Sequence, residues 1–271
     1  MEYALLDSGD QKRLEAFGPH RLVRPCSAAL WKPLQGEWKE AASFSREEGG
    51  GWQGHKKLPG SWVISYSGLK FKISLTDFGH VGLFPEHRVI WDWAEELIGQ
   101  RRKKPRVLNL FAYSGGATLA CARAGAEVCH LDASKGMVDW ARENGRLSGL
   151  SEAPIRWIVD DVFKFLTREI KRGRTYDGII LDPPSFGRGS RGEVFKIERD
   201  LPELLTLCKR LLSDTPLFFA LTSHTPGITP LAMEHLMSAI LPGKIHSGEM
   251  QIPSGCGRPL PSGDFARWEA S

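Results

Sequence analysis

Carboxylates follow three short apolar segments of this sequence, at positions where they could bind the polar groups of a ligand. Asp132, the pair Asp160-Asp161, and Asp182 each come directly after such a segment. An ionised carboxylate only accepts hydrogen bonds, so these residues suit ligand hydroxyl, amine and ring N–H groups. Asp132 could accept the hydroxyls of a ribose. Asp161, chosen over Asp160 on register, could accept from an adenine amine.

Each of these acidic loops also has a reading in which no ligand is bound. Asp132 or Ser134 could cap the helix that follows, because short polar side chains accept hydrogen bonds from the first free N–H groups of a helix. Asp160 could cap the next helix or be an exposed acid. Both readings stay open from the sequence alone.

A glycine pair, Gly115-Gly116, lies between the predicted strand 107–111 and the predicted helix 116–124. Adjacent glycines let a ligand approach the backbone closely. The helix N-terminus offers free N–H groups and the positive end of a dipole, which suit a carboxylate. This glycine loop (residues 111–116) has neither the GxGxxG fingerprint nor the GK[ST] sequence, which argues against a standard dinucleotide or ATP site. A tight turn without a ligand is the alternative.

The segment Asp182-Pro183-Pro184-Ser185-Phe186 is the proline loop (residues 182–186). Its two prolines make a rigid turn with few backbone donors. The Asp182 carboxylate and the Pro183 carbonyl are acceptors that could hold an amine or a ring N–H. The Phe186 ring could stack on a planar base. The alternative is a Pro-Pro turn that only ends a strand.

Strands and helices alternate from residue 106 onward, and this alternation positions all of these loops. Alternation at helical spacing predicts βαβ units and a parallel sheet, whose ligands bind outside the carboxyl ends of the strands. The predicted strands are 107–111, 127–131, 155–159, 176–181 and 217–221. The predicted helices are 85–99, 116–124, 134–148, 163–170, 201–212 and 230–240.

Residues 1–75 differ in composition and are predicted to form a small β-rich N-terminal module, followed by a larger α/β domain over 76–271. The segments 62–66 and 69–73 are typical of two strands joined by a tight turn at Ser67-Gly68. The tryptophans of this module are expected to pack in its core, and stacking on splayed-out bases is the alternative. They are Trp31, Trp38, Trp52 and Trp62.

Composition excludes several classes of protein. The 271 residues are 41% hydrophobic and 25% charged, which is ordinary for a globular protein. No apolar run approaches the roughly 20 residues that cross a bilayer, and the N-terminus has no signal-peptide pattern. A cytoplasmic location without membrane contact is therefore expected.

The 5 cysteines form no CxxC pair, so neither disulfides nor a metal site are expected. The net charge of +4 permits a polyanionic partner.

Taken in order, the loop motifs resemble class I S-adenosylmethionine-dependent methyltransferases, in particular the bacterial large-subunit rRNA family that includes cytosine-C5 and guanine-N7 enzymes. The motifs are Asn109-Leu110-Phe111-Ala112-Tyr113-Ser114-Gly115, Asp132-Ala133-Ser134, Glu143-Asn144 with Leu147-Ser148-Gly149-Leu150, Asp160-Asp161-Val162-Phe163 and Asp182-Pro183-Pro184-Ser185-Phe186. The resemblance covers about residues 75–245. It implies a Rossmann-like α/β domain, S-adenosylmethionine as methyl donor and, less strongly, an RNA substrate.

The resemblance also implies roles for individual residues. Asp182, Pro183 and Phe186 are expected to hold the methyl acceptor. Apart from the resemblance, the basic residues Lys196, Arg188 and Arg191 follow the proline loop and could meet phosphates or form a solvated loop. The residues expected to contact the cofactor are Phe84, Glu86, Asn109, Phe111, Tyr113, Ser114, Gly115, Asp132, Ala133, Asp161, Val162 and Asp182.

One departure from the cytosine branch narrows the expected chemistry. Cytosine-C5 methylation needs a cysteine thiolate, and neither the proline loop nor the segment 221–225 contains a cysteine. We therefore expect transfer to a base nitrogen. The alternatives are a methyltransferase that acts on a protein or small molecule, and a binding module without activity. His80, His87 and His224 could each serve as a base, although histidines in such positions more often pack or lie on the surface.

Overall fold

The structure is a computed structural model that describes residues 2–40, 42–47, 50–188, 192 and 194–270. The chain divides into two compact units. The N-terminal unit is Met1–Glu86 with Gln251–Ser262, and the sheet unit is His87–Met250 with Gly263–Ser271. This division differs from the predicted boundary at residue 75, because residues 76–86 and the distant segment Gln251–Ser262 both belong to the N-terminal unit. Tyr66, for example, donates from its hydroxyl to the Pro85 carbonyl at 2.9 Å.

The N-terminal unit is built from a five-stranded sheet in the order β1-β2-β3-β4-β5 and a separate hairpin, β6-β7. The hairpin turn uses left-handed backbone at Ser67 (φ 48°) and Gly68 (φ 74°), in agreement with the predicted tight turn. The strands are β1 Tyr3–Gly9, β2 Lys12–Phe17, β3 His20–Pro25, β4 Ala42–Ser45, β5 Gly51–Gln53, β6 Trp62–Tyr66 and β7 Leu69–Ile73.

The four tryptophans of this unit are half-buried, and each indole N–H donates to a group within the same unit. Trp31 donates to the Ser8 carbonyl at 2.9 Å, and Trp38 donates to the Asp7 carboxylate at 3.0 Å. Trp52 and Trp62 donate to main-chain carbonyls. These bonds support the packing interpretation of the tryptophans over base stacking, because a buried indole N–H needs a partner.

The sheet unit contains a seven-stranded sheet in the order β10-β9-β8-β11-β14-β16-β15. A two-stranded ribbon, β12-β13, lies outside it. The strands are β8 Arg106–Leu110, β9 Glu127–Asp132, β10 Ile155–Val159, β11 Gly178–Leu181, β12 Phe186–Arg188, β13 Val194–Lys196, β14 Phe218–Ser223, β15 Ile245–Ile252 and β16 Leu260–Glu269. The helices are α1 Arg88–Gly99, α2 Gly116–Arg123, α3 Lys135–Leu147, α4 Val162–Lys171, α5 Ile197–Arg210 and α6 Pro230–Ser238. Short 3₁₀ turns span His55–Lys57 and Pro85–His87.

The order of the strands reverses at the centre of this sheet. From β8 the chain proceeds outward through β9 and β10 on one side, and then returns to build β11 and β14 on the other. All five strands are parallel, so their carboxyl ends meet at one edge. A ligand crevice is expected at that edge, at the point where the order reverses.

The strand β16 runs antiparallel to β14 and, with β15, completes the sheet. Neither strand was predicted from the sequence. β16 contains Pro261 and Gly263 and mixes polar with apolar residues, so it has neither a clean alternation nor an apolar run. Its position beside the buried strand β14 compensates for this weak local preference. In the part of the chain that the structure describes, no helix has both the length and the apolar character needed to cross a membrane.

A buried carboxylate fixes α4 against β10 and gives the unit a pH-dependent stability. Glu169 accepts from Arg156 at 2.9 Å and from the Tyr176 hydroxyl at 2.6 Å. Burial alone would raise the pKa of Glu169, but these hydrogen bonds and the arginine charge lower this pKa to about 2. In the unfolded chain the pKa of the same group is about 4.3.

Glu169→Gln should therefore lose a stabilising contribution that depends on pH. A lowered folded-state pKa stabilises the fold above the unfolded value, and this stabilisation disappears as the pH falls from about 4.3 toward 2. Urea unfolding between pH 7 and pH 3 should show a larger free energy of unfolding for the wild type than for the variant at neutral pH. This difference in free energy should decrease below about pH 4.3. The exposed substitution Glu152→Gln is the matched control. A gap that does not change with pH would contradict this account of Glu169.

Candidate active site

The glycine loop, at the end of β8, has an unusual backbone. Phe111 and Tyr113 have φ values of 54° and 50°, and Gly115 has a φ of 92°. Left-handed backbone is costly for residues other than glycine and concentrates at functional sites. The conformation is secured by main-chain hydrogen bonds, with Ala112 N–H donating to the Leu131 carbonyl at 3.0 Å. Gly115 then serves as the N-cap residue of α2.

Neither Gly115 nor Gly116 has room for a larger side chain, and we call the backbone of these two residues the cradle. A Cβ at this position would lie 3.0 Å from the Cβ of Ala141. At the adjacent Gly116, a Cβ would lie 2.1 Å from the buried Trp91 ring. Only glycine allows both the positive φ and this close packing, so the free N–H groups at the start of α2 keep the orientation that an anionic group needs.

Asp132 joins two of the loops. One carboxylate oxygen accepts from the Tyr113 N–H and the other from the Ser134 N–H, both at 2.9 Å. Burial raises the pKa of Asp132, partly offset by these two bonds. Each oxygen can accept more than one hydrogen bond, so the carboxylate can orient the loops and still receive ribose hydroxyls. The capping role falls on Ser134, which is the N-cap of α3.

In the loop after β10, the residue that caps the next helix is not the one considered from the sequence. Asp161, rather than Asp160, caps α4 and accepts from the Lys164 N–H at 3.0 Å. Asp160 accepts from the Asp161 N–H at 2.9 Å and pairs with Arg168. The cap bond uses one oxygen of Asp161, so its assignment to the adenine amine stays a prediction. Val162 follows as the first residue of the helix.

The proline loop is held by two hydroxyl contacts to β14 and to the segment that follows it. Thr222 donates to an Asp182 oxygen at 2.7 Å, and the Ser185 and Thr225 hydroxyls lie 2.7 Å apart. Pro183 is buried, whereas the Phe186 side chain is 50% exposed. The loop thus combines a fixed carboxylate with an aromatic face open to solvent.

Two histidines from different elements flank Asp182. His87 Nε2 lies 3.6 Å from one carboxylate oxygen, and His224 Nδ1 lies 3.6 Å from the other. Burial alone raises the pKa of Asp182, but His87, His224 and the Thr222 hydrogen bond hold it well below its usual value. The third histidine considered from the sequence, His80, belongs to the N-terminal unit, where its ring packs edge-on against Phe84.

Beneath the glycine loop lies a buried polar layer that the sequence did not reveal. Asn109 donates from its amide to the Thr118 hydroxyl at 2.9 Å, and this hydroxyl lies 2.9 Å from His130 Nδ1. Burial lowers the pKa of His130 to about 3, so the ring is neutral. The Thr118 hydroxyl oxygen thus accepts from Asn109, and the tautomer of the His130 ring determines which partner donates in the second bond. Asn144 donates to the Ser114 carbonyl at 2.9 Å. Asn109 is thus placed to support the loop, and its predicted direct contact with the cofactor stays a prediction.

Thr118→Val should destabilise the protein and loosen the glycine loop, because it leaves the Asn109 amide and His130 Nδ1 buried without this partner. The expected cost is about 2–4 kcal/mol of unfolding free energy, measured by chemical denaturation. Thr206→Val removes an exposed hydroxyl that bonds Pro202 within α5 and should change stability little. Equal losses in the two variants would exclude a special role for this layer.

The remaining predicted residues belong to the N-terminal unit, begin α5 or fall outside the described residues. Phe84 and Glu86 belong to the N-terminal unit, and Glu86 is buried there and accepts from the Ser262 hydroxyl at 2.9 Å. Their contact with the cofactor stays a prediction. Lys196 begins α5 through its N–H bond to Asp200. Arg191 and the Arg188 side chain fall outside the described residues.

Comparison with known proteins identifies the family. A model of S-adenosylmethionine-dependent methyltransferases matches residues 20–217. The chain belongs to this family. The match confirms the predicted class of enzyme and its predicted methyl donor, S-adenosylmethionine. The cradle at Gly115, the α2 N-terminus and the Asp132 carboxylate together fit the methionyl and ribose groups of that cofactor.

Two curated relatives are large-subunit rRNA methyltransferases. Ribosomal RNA large subunit methyltransferase K of Neisseria meningitidis is 30% identical over 230 residues, which cover 78% of this chain and 63% of the relative. Methyltransferase K/L of Shewanella baltica is 36% identical over 155 residues, which cover 56% of this chain and 21% of the relative. The chain therefore spans only part of the length of these relatives.

Solved structures confirm the predicted fold class, a Rossmann-like methyltransferase domain with a small β-rich N-terminal module. The S-adenosylmethionine-dependent methyltransferase of Agrobacterium tumefaciens is 40% identical, with a TM-score of 0.94 over 100% of this chain and 91% of that protein. The structure of SMU.776 complexed with SAH has a TM-score of 0.76 over 97% of this chain and 75% of that one. At 20% identity, the second likeness concerns the fold alone.

Proposed function

We propose that this S-adenosylmethionine-dependent methyltransferase transfers a methyl group to a nitrogen of an RNA base. The observation that carries the proposal is the proline loop, which contains both an Asp182 carboxylate oriented by Thr222 and a half-exposed Phe186 ring. A carboxylate accepts the N–H groups of a base, and an aromatic ring stacks on its face. Both contacts suit a flat heterocycle with N–H donors.

The cofactor would be held by the loops that end β8, β9 and β10. The backbone around Ser114 and Gly115 would bind the methionyl carboxylate at the N-terminus of α2. Asp132, with Ala133 beside it, would receive the ribose hydroxyls, and Asp161 and Val162 would bind the adenine edge. Phe111 and Tyr113 would shape the loop through their left-handed backbone.

Catalysis would then rest on orientation. S-adenosylmethionine supplies an electrophilic methyl carbon when bound. The Asp182 carboxylate and the Pro183 carbonyl would accept N–H groups of the base, and Phe186 would stack on it. This contact would point the lone pair of the acceptor nitrogen in line with the methyl carbon. Fixed alignment of two reactants accelerates a reaction by removing the entropy of bringing them together.

The cysteines support nitrogen over carbon-5 as the acceptor. Within the described part of the sheet unit the free cysteines are Cys121, Cys129 and Cys208, and all three are buried. Burial raises the pKa of the Cys208 thiol far above its usual value, and Cys121 and Cys129 are raised in the same direction. A thiol that stays protonated is a poor nucleophile, so none of them suits attack on a cytosine ring.

RNA as the substrate is supported by the curated relatives, whose names specify large-subunit rRNA, and by the net positive charge of +4. A polyanion is attracted by such a charge, and its binding weakens as salt rises.

The proposal is tested with tritiated S-adenosylmethionine and an unmodified transcript of large-subunit rRNA. The expected result is tritium in the RNA, recovered after digestion as an N-methylated nucleoside, with binding that weakens as salt increases. Label recovered as a carbon-5-methylated cytidine would contradict nitrogen transfer. Label recovered only in protein or small molecules, with RNA binding insensitive to salt, would contradict an RNA substrate.

A further inference from the structure

The side chains of His87, Asp182 and His224 form a cluster that we call the two-histidine cluster. The three residues lie far apart in the sequence and reach one place from three elements. His87 precedes α1, Asp182 follows β11 and His224 follows β14. One ligand atom from each residue can be chosen so that all three lie within 4.8 Å of one another.

The two histidine-to-carboxylate distances in this cluster are longer than those of well-formed hydrogen bonds. The two nitrogen-to-oxygen distances are both 3.6 Å, whereas N–H···O bonds measure about 2.7–3.2 Å. Two ligands of one metal ion have another spacing. Bonds of about 2.0–2.2 Å that meet at 109–120° separate their ligand atoms by about 3.3–3.8 Å. Both observed distances fall in that range, and small side-chain rotations would bring the second imidazole to the same ion.

The surroundings of the cluster resemble the support that metal ligands need. Thr222 donates to Asp182 Oδ1 at 2.7 Å, and such outer hydrogen bonds fix the orientation of a ligating carboxylate. His224 lies against Gly263, where a Cβ would come within 2.9 Å of the ring and where φ is +84°. A glycine therefore makes room for this ring. The side chains of His224 and Asp182 are 35% and 25% exposed, so an ion could enter from solvent.

We propose that His87, Asp182 and His224 bind one divalent transition-metal ion. Two imidazoles and one carboxylate favour ions such as Zn²⁺ or Co²⁺ over Ca²⁺ and Mg²⁺, which prefer all-oxygen ligands. Three protein ligands leave at least one coordination position open. Because Asp182 also begins the proline loop, that position is suited to an oxygen atom of the methyl acceptor or to water. This role for the ion rests on the proposed function, whereas binding of the ion does not.

The test is a titration of the purified, tag-free chain with Co²⁺, followed by visible absorption and calorimetry. The wild type is expected to bind one Co²⁺ per chain with micromolar affinity. His87→Ala and His224→Ala should each weaken this affinity by at least about 10-fold, the scale of lost metal-site interactions. His246→Ala removes an exposed histidine on β15 and is the matched control, with affinity equal to that of the wild type.

Several outcomes would overturn the proposal. These are no saturable Co²⁺ binding by the wild type, equal affinity in the histidine variants and the wild type, or a strong thiolate-to-cobalt band in the near ultraviolet, which would place the ion on cysteines. Binding of S-adenosylmethionine checks that each variant is folded, and His87→Gln and His224→Gln replace any alanine variant that is not. The titration involves neither RNA nor methyl transfer, so its failure leaves the proposed function to its own test.

Discussion

Asp182→Ala is expected to abolish methyl transfer while leaving the affinity for S-adenosylmethionine nearly unchanged. Removal of one preorganised polar group in an active site typically costs about 10²–10³ in rate, and here the group is both the main acceptor of the proline loop and the centre of the two-histidine cluster. The loops after β8, β9 and β10, which we propose to bind the cofactor, do not use it in the described contacts. Loss of rate without loss of cofactor binding is therefore the signature of a residue that acts on the methyl acceptor.

The measurement combines transfer of tritium to RNA with calorimetric binding of S-adenosylmethionine for the same preparations. Asp214→Ala is the matched control, because Asp214 is an exposed carboxylate in the loop before β14. It should retain the wild-type rate. Turnover by Asp182→Ala close to that of the wild type would remove Asp182 from the acceptor site.

Gly115→Ala is expected to have the second largest effect, which falls on the cofactor rather than on the acceptor. The added methyl group meets the Cβ of Ala141 at 3.0 Å and forces an alanine to hold a φ of +92°. An L-residue pays about 1–2 kcal/mol for left-handed backbone, and the clash with Ala141 adds to this. The backbone of the glycine loop should therefore move out of its present conformation. Because 1.4 kcal/mol corresponds to a factor of ten, we expect the affinity for S-adenosylmethionine to fall at least about 10-fold.

Gly99→Ala provides the comparison for this substitution. Gly99 is the last residue of α1, and a Cβ there would meet no atom within 4 Å. The same added methyl group should therefore leave cofactor affinity unchanged. If Gly115→Ala bound S-adenosylmethionine as tightly as Gly99→Ala, the glycine loop would not be the methionyl site.

Much of the sheet unit could be predicted because its strands are short apolar runs separated by amphipathic helices. The predicted strand 155–159 matches β10, and the other parallel strands agree within a few residues. The polar loops were also found correctly as the ends of those strands. The carboxyl edge of a parallel sheet gathers such loops whatever the details of packing.

What could not be predicted depends on contacts between residues distant in sequence. The two-histidine cluster joins positions 87, 182 and 224, so no motif within a short segment indicates it. The absence of a CxxC pair gives no information about this cluster. Asn109 and Thr118 have ordinary neighbours, and only the packing of α2 on β8 and β9 brings them to His130. The N-cap of α4 could not be predicted either, because Asp160 and Asp161 are adjacent and both can cap a helix. Which of them does so depends on the backbone register at the start of the helix.

The measurement that tests the central claim most directly is calorimetric titration of the wild type and of Asp132→Ala with S-adenosylmethionine and its demethylated product. The loops at the carboxyl edge predict saturable binding of both ligands by the wild type, with one site per chain and micromolar affinity. Binding should be lost or severely weakened in Asp132→Ala, which removes both the ribose acceptor and the bonds to Tyr113 and Ser134. Equal affinity in the two proteins would contradict the assignment of this edge as the cofactor site.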